Sequence, residues 1–91
     1  MGATVAIIVK LMPESPSTNL KEIEEKAKEL MELEGAKNIS FEERPVAFGL
    51  NSIHMKMALS EEKGTDLVET TLAKVPNVSS ITIEDYRRAF G

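Results

Sequence analysis

The spacing of hydrophobic residues changes several times along this chain of 91 residues, and the order of the changes limits the folds it can adopt. A spacing of two residues, typical of half-buried β-strands, occurs in four segments: residues 4–12, 39–44, 53–59 and 78–84. A spacing of three and four residues, typical of amphipathic helices, occurs in two segments: residues 20–31 and 65–75. The predicted order is therefore strand, helix, strand, strand, helix, strand.

Residues with strong local preferences mark the ends of these segments. Asn19 and Glu22 have the spacing of a helix-capping box, and Gly35 favours helix termination because glycine adopts the left-handed conformation without a clash. Thr65 is the predicted cap of the second helix. Pro45 ends the second strand because proline has no N–H to donate to a sheet. The short link to the third strand predicts an antiparallel hairpin.

This order of elements predicts one α+β domain spanning residues 1–91. Its usual solution is the ferredoxin-like βαββαβ sandwich, with two helices on one face of a four-stranded antiparallel sheet. The other face is expected to be partly open and to carry Ala6, Ile8, His54 and Ala58. Residues 86–91 follow the last predicted strand as a short C-terminal tail.

Charge and composition exclude several classes of function. The chain has 15 acidic and 11 basic residues, a formal charge of -4 and no cysteine. An acidic chain is a poor ligand for phosphate backbones, so we expect no direct nucleic-acid binding. Disulfides and thiolate metal sites are excluded, and the absence of cysteine fits a reducing cytoplasm. No apolar run approaches the ~20 residues that span a membrane, so we expect no membrane association.

The chain offers little chemistry for an enzyme. It has no phosphate-binding loop of the Gly-x-x-x-x-Gly-Lys type, and His54, its one histidine, has no recognisable partner at catalytic spacing. The glutamates of the first helix alternate with lysines and are interpreted as a solvated, ion-paired face. Glu61 and Glu62 are likewise interpreted as solvated charges. We therefore expect no catalytic residue, no bound metal and no cofactor.

The link between the second and third strands is unusual because hairpin tips are usually polar. It consists of Pro45, Val46, Ala47, Phe48 and Gly49. Two interpretations stay open on the residues alone. Phe48 either folds back onto the helices as a lid or projects as an apolar anchor for a partner's pocket.

The C-terminus carries adjacent basic residues, Arg87 and Arg88, between Tyr86 and Phe90. It is either a frayed terminus or a short arm that brings a cation and an aromatic ring to a partner. Because the last strand runs away from the hairpin, this tail is predicted at the opposite end of the sheet. Strands of this length span roughly 20 Å, so a protein using both features would bridge two separated places on its partner.

Residues 43–50, which read Glu-Arg-Pro-Val-Ala-Phe-Gly-Leu, resemble the strand-loop-strand signature of the translation elongation factor 1-beta family. Residues 9–13 followed by an acidic helix, and the final strand with its basic tail, are also similar to that family. The resemblance covers essentially the whole chain and is to the short archaeal form. It implies a ferredoxin-like guanine-nucleotide exchange factor for elongation factor 1-alpha, the GTPase that delivers aminoacyl-tRNA to the ribosome.

The family resemblance also implies roles for two residues. In the family the aromatic residue of the hairpin tip, here Phe48, docks on one domain of the GTPase. A basic residue near the C-terminus, here Arg88, reaches the nucleotide domain close to its magnesium site. The eukaryotic pattern has lysine next to the last residue, whereas here Ala89, Phe90 and Gly91 follow an arginine pair. The guanidinium group of arginine is planar and larger than the ammonium group of lysine, so the two residues differ in shape at this position.

The resemblance implies a monomer with elongation factor 1-alpha as its partner. The alternative is a ferredoxin-like regulatory or small-ligand module that dimerises through its open sheet face, because this fold hosts many functions.

Overall fold

One antiparallel sheet and two helices make up the fold. The computed structural model describes residues 3–90, with side chains for residues 3–88. The helices are α1 (Leu20–Leu33) and α2 (Gly64–Leu72). The strands are β1 (Thr4–Pro13), β2 (Lys37–Pro45), β3 (Asn51–Ser60) and β4 (Val78–Phe90). The sheet order β2-β3-β1-β4 confirms the predicted ferredoxin-like arrangement.

The core lies between the helices and one face of the sheet. The residues that alternate along β1 towards this face, Val5, Ile7, Val9 and Leu11, are completely buried. They pack with the helical stripes, whose buried members include Ile23, Ala27, Met31, Val68 and Leu72. Burying these side chains is the main favourable contribution to folding in a domain of this size. Both predicted hydrophobic patterns are thereby confirmed.

The ends of α1 follow the sequence prediction, whereas the start of α2 does not. The side-chain oxygen of Asn19 accepts hydrogen bonds from the N–H groups of Lys21 and Glu22 at 3.0 and 3.4 Å. Gly35 has a φ of 93°, as expected after a helix C-terminus. The prediction that Thr65 caps α2 is wrong. A 3-10 turn over Glu61–Lys63 precedes α2, which already begins at Gly64.

The predicted C-terminal tail is also wrong, because β4 continues to Phe90. Arg87 pairs with Ala6 and Arg88 with Val5 of β1. The N-terminal half of β1 offers unpaired backbone groups on that side, and pairing with β4 satisfies them. The register between β1 and β4 shifts at irregular positions along the pairing. Such irregularities allow the two strands to stay paired although the polar residues of β4 break its hydrophobic alternation. Gly91 lies outside the described residues.

In the part of the chain that the structure describes, no helix covers the second face of the sheet. The register of β1 with β3 places six residues on this face: Ala6, Ile8, Lys10, His54, Lys56 and Ala58. Ala6, Ile8 and Ala58 are half-buried there, and His54 is buried. The predicted partly open face is confirmed. Among residues 3–90, neither helix is long and apolar enough to cross a membrane.

Candidate partner-binding surface

The connection between β2 and β3, residues 45–49, forms a closed and well-defined turn that we call the hairpin tip. Pro45 pairs with Asn51 at its base. The Val46 N–H donates to the carbonyl oxygen of Leu50 at 2.8 Å, and the Leu50 N–H donates to that of Ala47 at 3.3 Å. Ala47–Gly49 forms a single 3-10 turn. Backbone hydrogen bonds therefore hold the apolar residues of the tip in one conformation.

Phe48 projects from this turn into solvent. Its side chain is 93% exposed, so the interpretation of Phe48 as a lid on the helices is wrong. Its backbone lies in the left-handed region, with φ 62° and ψ 30°, which costs a residue with a Cβ roughly 1–2 kcal/mol. Gly49, with a φ of 74°, follows directly and adopts that conformation without the same cost.

An exposed, conformationally fixed phenylalanine is suited to insertion into an apolar pocket. Its apolar surface is still available for burial, and burial contributes roughly 25 cal/mol per Å². Because the turn already fixes the backbone, less conformational entropy is lost on binding. Val46 and Leu50 are half-buried on either side of the turn. The geometry of the hairpin tip therefore favours the anchor interpretation.

The two arginines near the C-terminus point to opposite faces of the sheet. Arg88 pairs with Val5, whose side chain lies in the core, and Arg87 pairs with Ala6 on the open face. Arg87 Nε lies 3.0 Å from Asp85 Oδ2 on the same strand. The predicted arm is therefore a paired strand in which each arginine faces a different surface.

Arg88 contacts a residue that the sequence analysis treated as a solvated charge. Its Nε lies 2.8 Å from Glu61 Oε2, and its Nη2 donates to Glu61 Oε1 at 3.2 Å. The pair joins residues 27 positions apart in sequence. We refer to Arg87, Arg88 and Glu61 together as the arginine end. Only knowledge that β4 extends past residue 84 could have predicted this contact.

The hairpin tip and the arginine end lie at opposite ends of the sheet, as predicted. Asn51 at the base of the tip begins β3, whereas Arg88 pairs with Val5, which itself pairs with Leu59 near the end of β3. At ~3.3 Å per residue, the positions of Asn51 and Leu59 are about 26 Å apart along the strand. The molecule is elongated, with a longest dimension of 43 Å.

His54 has partners that the sequence analysis missed. Ser52 Oγ lies 3.0 Å from His54 Nε2, and Glu84 Oε1 lies 2.9 Å from His54 Nδ1. Among the described residues, His54 Nδ1 is buried and has no hydrogen-bond partner, so the approach of Glu84 is a close contact and not a hydrogen bond. Glu84 reaches His54 because the β1–β4 register shifts between Ile8 and Val9. Ser52 is completely buried, so its hydroxyl cannot reach a substrate.

Two neighbouring carboxylates lie where α1 meets β2. Burial raises the pKa of Glu24 on α1, and the nearby Glu43 on β2 raises it further. Lys21 opposes both effects, with its Nζ 3.6 Å from Glu24 and 3.7 Å from Glu43. Glu24 Oε2 is buried and has no hydrogen-bond partner among the described residues. The raised pKa means that Glu24 takes up a proton at a higher pH than an exposed glutamate does.

Comparison with known proteins gives a consistent result over nearly the whole chain. Residues 6–89 match the family model of the EF-1 guanine nucleotide exchange domain. The chain is 37% identical over 84 residues to "Elongation factor 1-beta" of Methanocaldococcus jannaschii, an alignment that covers 90% of this chain and 94% of the relative. It is 36% identical over 89 residues to "Elongation factor 1-beta" of Methanothermobacter thermautotrophicus, covering 97% and 98%.

Proposed function

The chain belongs to the EF-1 guanine nucleotide exchange family and acts in nucleotide exchange on elongation factor 1-alpha in translation, and we propose that it does so through contacts at both ends of its sheet. The hairpin tip docks on one part of the GTPase. The arginine end reaches the nucleotide-binding part. The elongated shape of the chain supports two contacts that are separated by the length of β3.

Docking by the hairpin tip rests on one observation above all, the exposed Phe48 in a strained, closed turn. The neighbouring residues contribute by fixing the turn and by flanking Phe48 with small or apolar groups; they are Pro45, Val46, Ala47 and Gly49. Aromatic anchors of this type commonly supply a large part of the binding free energy of an interface. The tip therefore provides affinity for the GTPase.

In this proposal, Arg88 perturbs the nucleotide site of the GTPase. A guanine nucleotide and its magnesium ion form a site of concentrated opposite charges, and a guanidinium brought close to it competes for the phosphate oxygens. Arg88 projects from the helix side of β4, whereas Arg87 projects from the open face. In this proposal Arg87 contacts a different part of the GTPase and contributes less to release of GDP.

The acceleration of release follows from thermodynamic linkage. A protein that binds the nucleotide-free GTPase more tightly than the GDP-bound form must weaken GDP binding by the same factor. The relative concentrations of GTP and GDP then decide which nucleotide rebinds. We propose that the chain makes and breaks no covalent bond, requires no cofactor, and regulates the GTPase in the cytoplasm, where translation takes place.

We propose that the free protein is a monomer. Among the described side chains, the exposed large hydrophobic residues are Leu33, Phe48 and Tyr86. The open sheet face carries charged groups of both β1 and β3, including Lys10 and Lys56. A dimer through that face would have to remove these charges from water, which costs free energy. Sedimentation at increasing concentration tests this proposal.

The exchange activity is tested by release of a fluorescent GDP analogue from the cognate elongation factor 1-alpha. With GTP in excess, we expect substoichiometric amounts of this protein to accelerate release, because the protein dissociates after each exchange. The control is the same reaction with GTP but without the protein. An unchanged rate with both proteins demonstrably folded would contradict the proposed function.

A further inference from the structure

Arg88 is held by Glu61 through the side of the guanidinium that recognises anions. Its Nε and Nη2 both contact the Glu61 carboxylate, at 2.8 and 3.2 Å. This edge, with two parallel donors, is the one that arginine uses for bidentate binding of carboxylates and phosphates. While Glu61 occupies it, Arg88 cannot offer the same edge to a second anion.

The backbone around Glu61 is held by hydrogen bonds that do not involve Arg88. The Glu61 N–H donates to the carbonyl oxygen of Ala3 at 2.8 Å. Glu61 also begins the short 3-10 turn that leads into α2, and Ser60 Oγ accepts a hydrogen bond from the N–H of Glu62 at 3.4 Å. Glu61 therefore belongs to a different element from Arg88 and is positioned independently of it.

We propose that Glu61 is a positioning residue for nucleotide exchange, which holds the guanidinium of Arg88 in the free protein and competes for it with the anionic groups of the GTPase's nucleotide site. This inference rests on the proposed role of Arg88. In the complex, Arg88 exchanges the Glu61 carboxylate for an oxyanion of phosphate or carboxylate type. In the free protein, Glu61 thus keeps the Arg88 guanidinium paired and disfavours its non-specific contacts with other anions.

The contact is suited to reversible exchange because it is open to water. The Arg88 and Glu61 side chains are 63% and 40% exposed. Exposed ion pairs of this kind change an equilibrium by only about two- to fivefold. A phosphate group, with its greater charge and more acceptor oxygens, can therefore displace the Glu61 carboxylate at a small cost in free energy.

Glu61→Gln tests this inference because it removes the charge and keeps the shape. We expect kcat/KM for release of GDP from the GTPase to rise about two- to fivefold at low salt. The gain should disappear at high salt, where the pair is screened in the parent as well. A role for Glu61 in folding alone would lower the rate or leave it unchanged, so an increase excludes that role.

Glu62→Gln is the matched control. Glu62 is the next residue in the same turn, is exposed, and makes no ion pair with any described residue. It should leave kcat/KM near the parent value, although the change in net charge is identical. An equal gain in Glu62→Gln would assign the effect to overall charge and overturn the proposal.

The double variant Glu61→Gln with Arg88→Ala completes the test. If Glu61 acts through Arg88, the double variant should exchange at the same rate as Arg88→Ala alone. A gain that persists without Arg88, or no gain in Glu61→Gln, would overturn the role of Glu61 and leave the proposed function intact. If Arg88→Ala alone exchanges at the parent rate, the assigned role of Arg88 fails, and the inference fails with it.

Discussion

The two ends of the sheet present their key side chains in opposite ways. At the hairpin tip, Phe48 is exposed, and its strained backbone is fixed by hydrogen bonds of the turn. At the arginine end, Arg88 lies on a paired strand and its charge is already matched by Glu61. One end displays its binding group without an internal partner, and the other end keeps its binding group occupied.

The chemistry of the two groups explains this difference. An apolar ring gains free energy in proportion to the surface that it removes from water, so it contributes most if it is exposed beforehand. A cation can exchange one anion for another at small net cost, because charges near a surface interact weakly. Different variants should therefore affect docking and nucleotide release separately.

Phe48→Ala is expected to have the largest effect, on affinity. Truncation of a central aromatic anchor typically costs ~2 kcal/mol or more, which is about a 30-fold loss of affinity. Calorimetric titration of the variant into nucleotide-free elongation factor 1-alpha measures this loss. The rate of release at saturating concentrations should change much less.

Leu33→Ala is the control for Phe48→Ala. Leu33 lies at the end of α1 and is 77% exposed, so its truncation also removes an exposed apolar side chain. We expect its affinity to match that of the parent. Equal losses in both variants would mean that the hairpin tip has no special part in docking.

Arg88→Ala is expected to have the next largest effect, on the rate of release. Loss of charge-assisted contacts to the nucleotide site should lower kcat by roughly tenfold, or about 1.4 kcal/mol, with little change in affinity. The fluorescent-GDP assay at saturating concentrations measures kcat. Arg87→Ala removes the same charge from the opposite face and should retain most of the activity. If Arg87→Ala is the slower variant, the assignment of the two arginines must be reversed.

The fold was predictable because it depends on patterns that extend over whole elements. The alternation of Val5, Ile7 and Val9, and the helical spacing of Ile23 and Ala27, are consequences of burial on one side. The end of β4 was not predictable in this way. Its residues beyond 84 are mainly polar, and backbone pairing with β1 determines their structure.

The candidate site was predictable in its residues but less so in its contacts. The apolar composition of the hairpin tip identified Phe48, whereas periodicity in sequence does not determine where a loop side chain points. Glu61 and Glu84 contact Arg88 and His54 from other elements. Each contact depends on the strand register and its irregularities, which a single sequence does not specify.

The strain at the hairpin tip can be measured separately from docking. Phe48→Gly should be more stable than Phe48→Ala by about 0.5–1 kcal/mol, because glycine avoids the left-handed cost but gains more entropy on unfolding. Urea unfolding measures the difference. Ala47→Gly, in the same turn but without a positive φ, should destabilise the protein. If Phe48→Ala is as stable as Phe48→Gly, the tip is not strained.

The smallest expected effect concerns charge near the hairpin end of the sheet, where Glu24 and Glu43 share one lysine, whereas Arg88 and Glu61 form a one-to-one pair at the arginine end. The pKa of Glu24 is raised above its ordinary value of 4.5 by burial and by Glu43, so the folded protein binds this proton more tightly than the unfolded chain. The stabilisation from this proton is complete below the ordinary value and is lost as pH rises through the raised pKa. Glu24→Gln should therefore gain stability relative to the parent over that range. Urea unfolding at several pH values measures the change, and Glu25→Gln, exposed on the same helix, should not show it. A stability difference between Glu24→Gln and the parent that does not vary with pH would mean that the folded protein does not raise the pKa of Glu24.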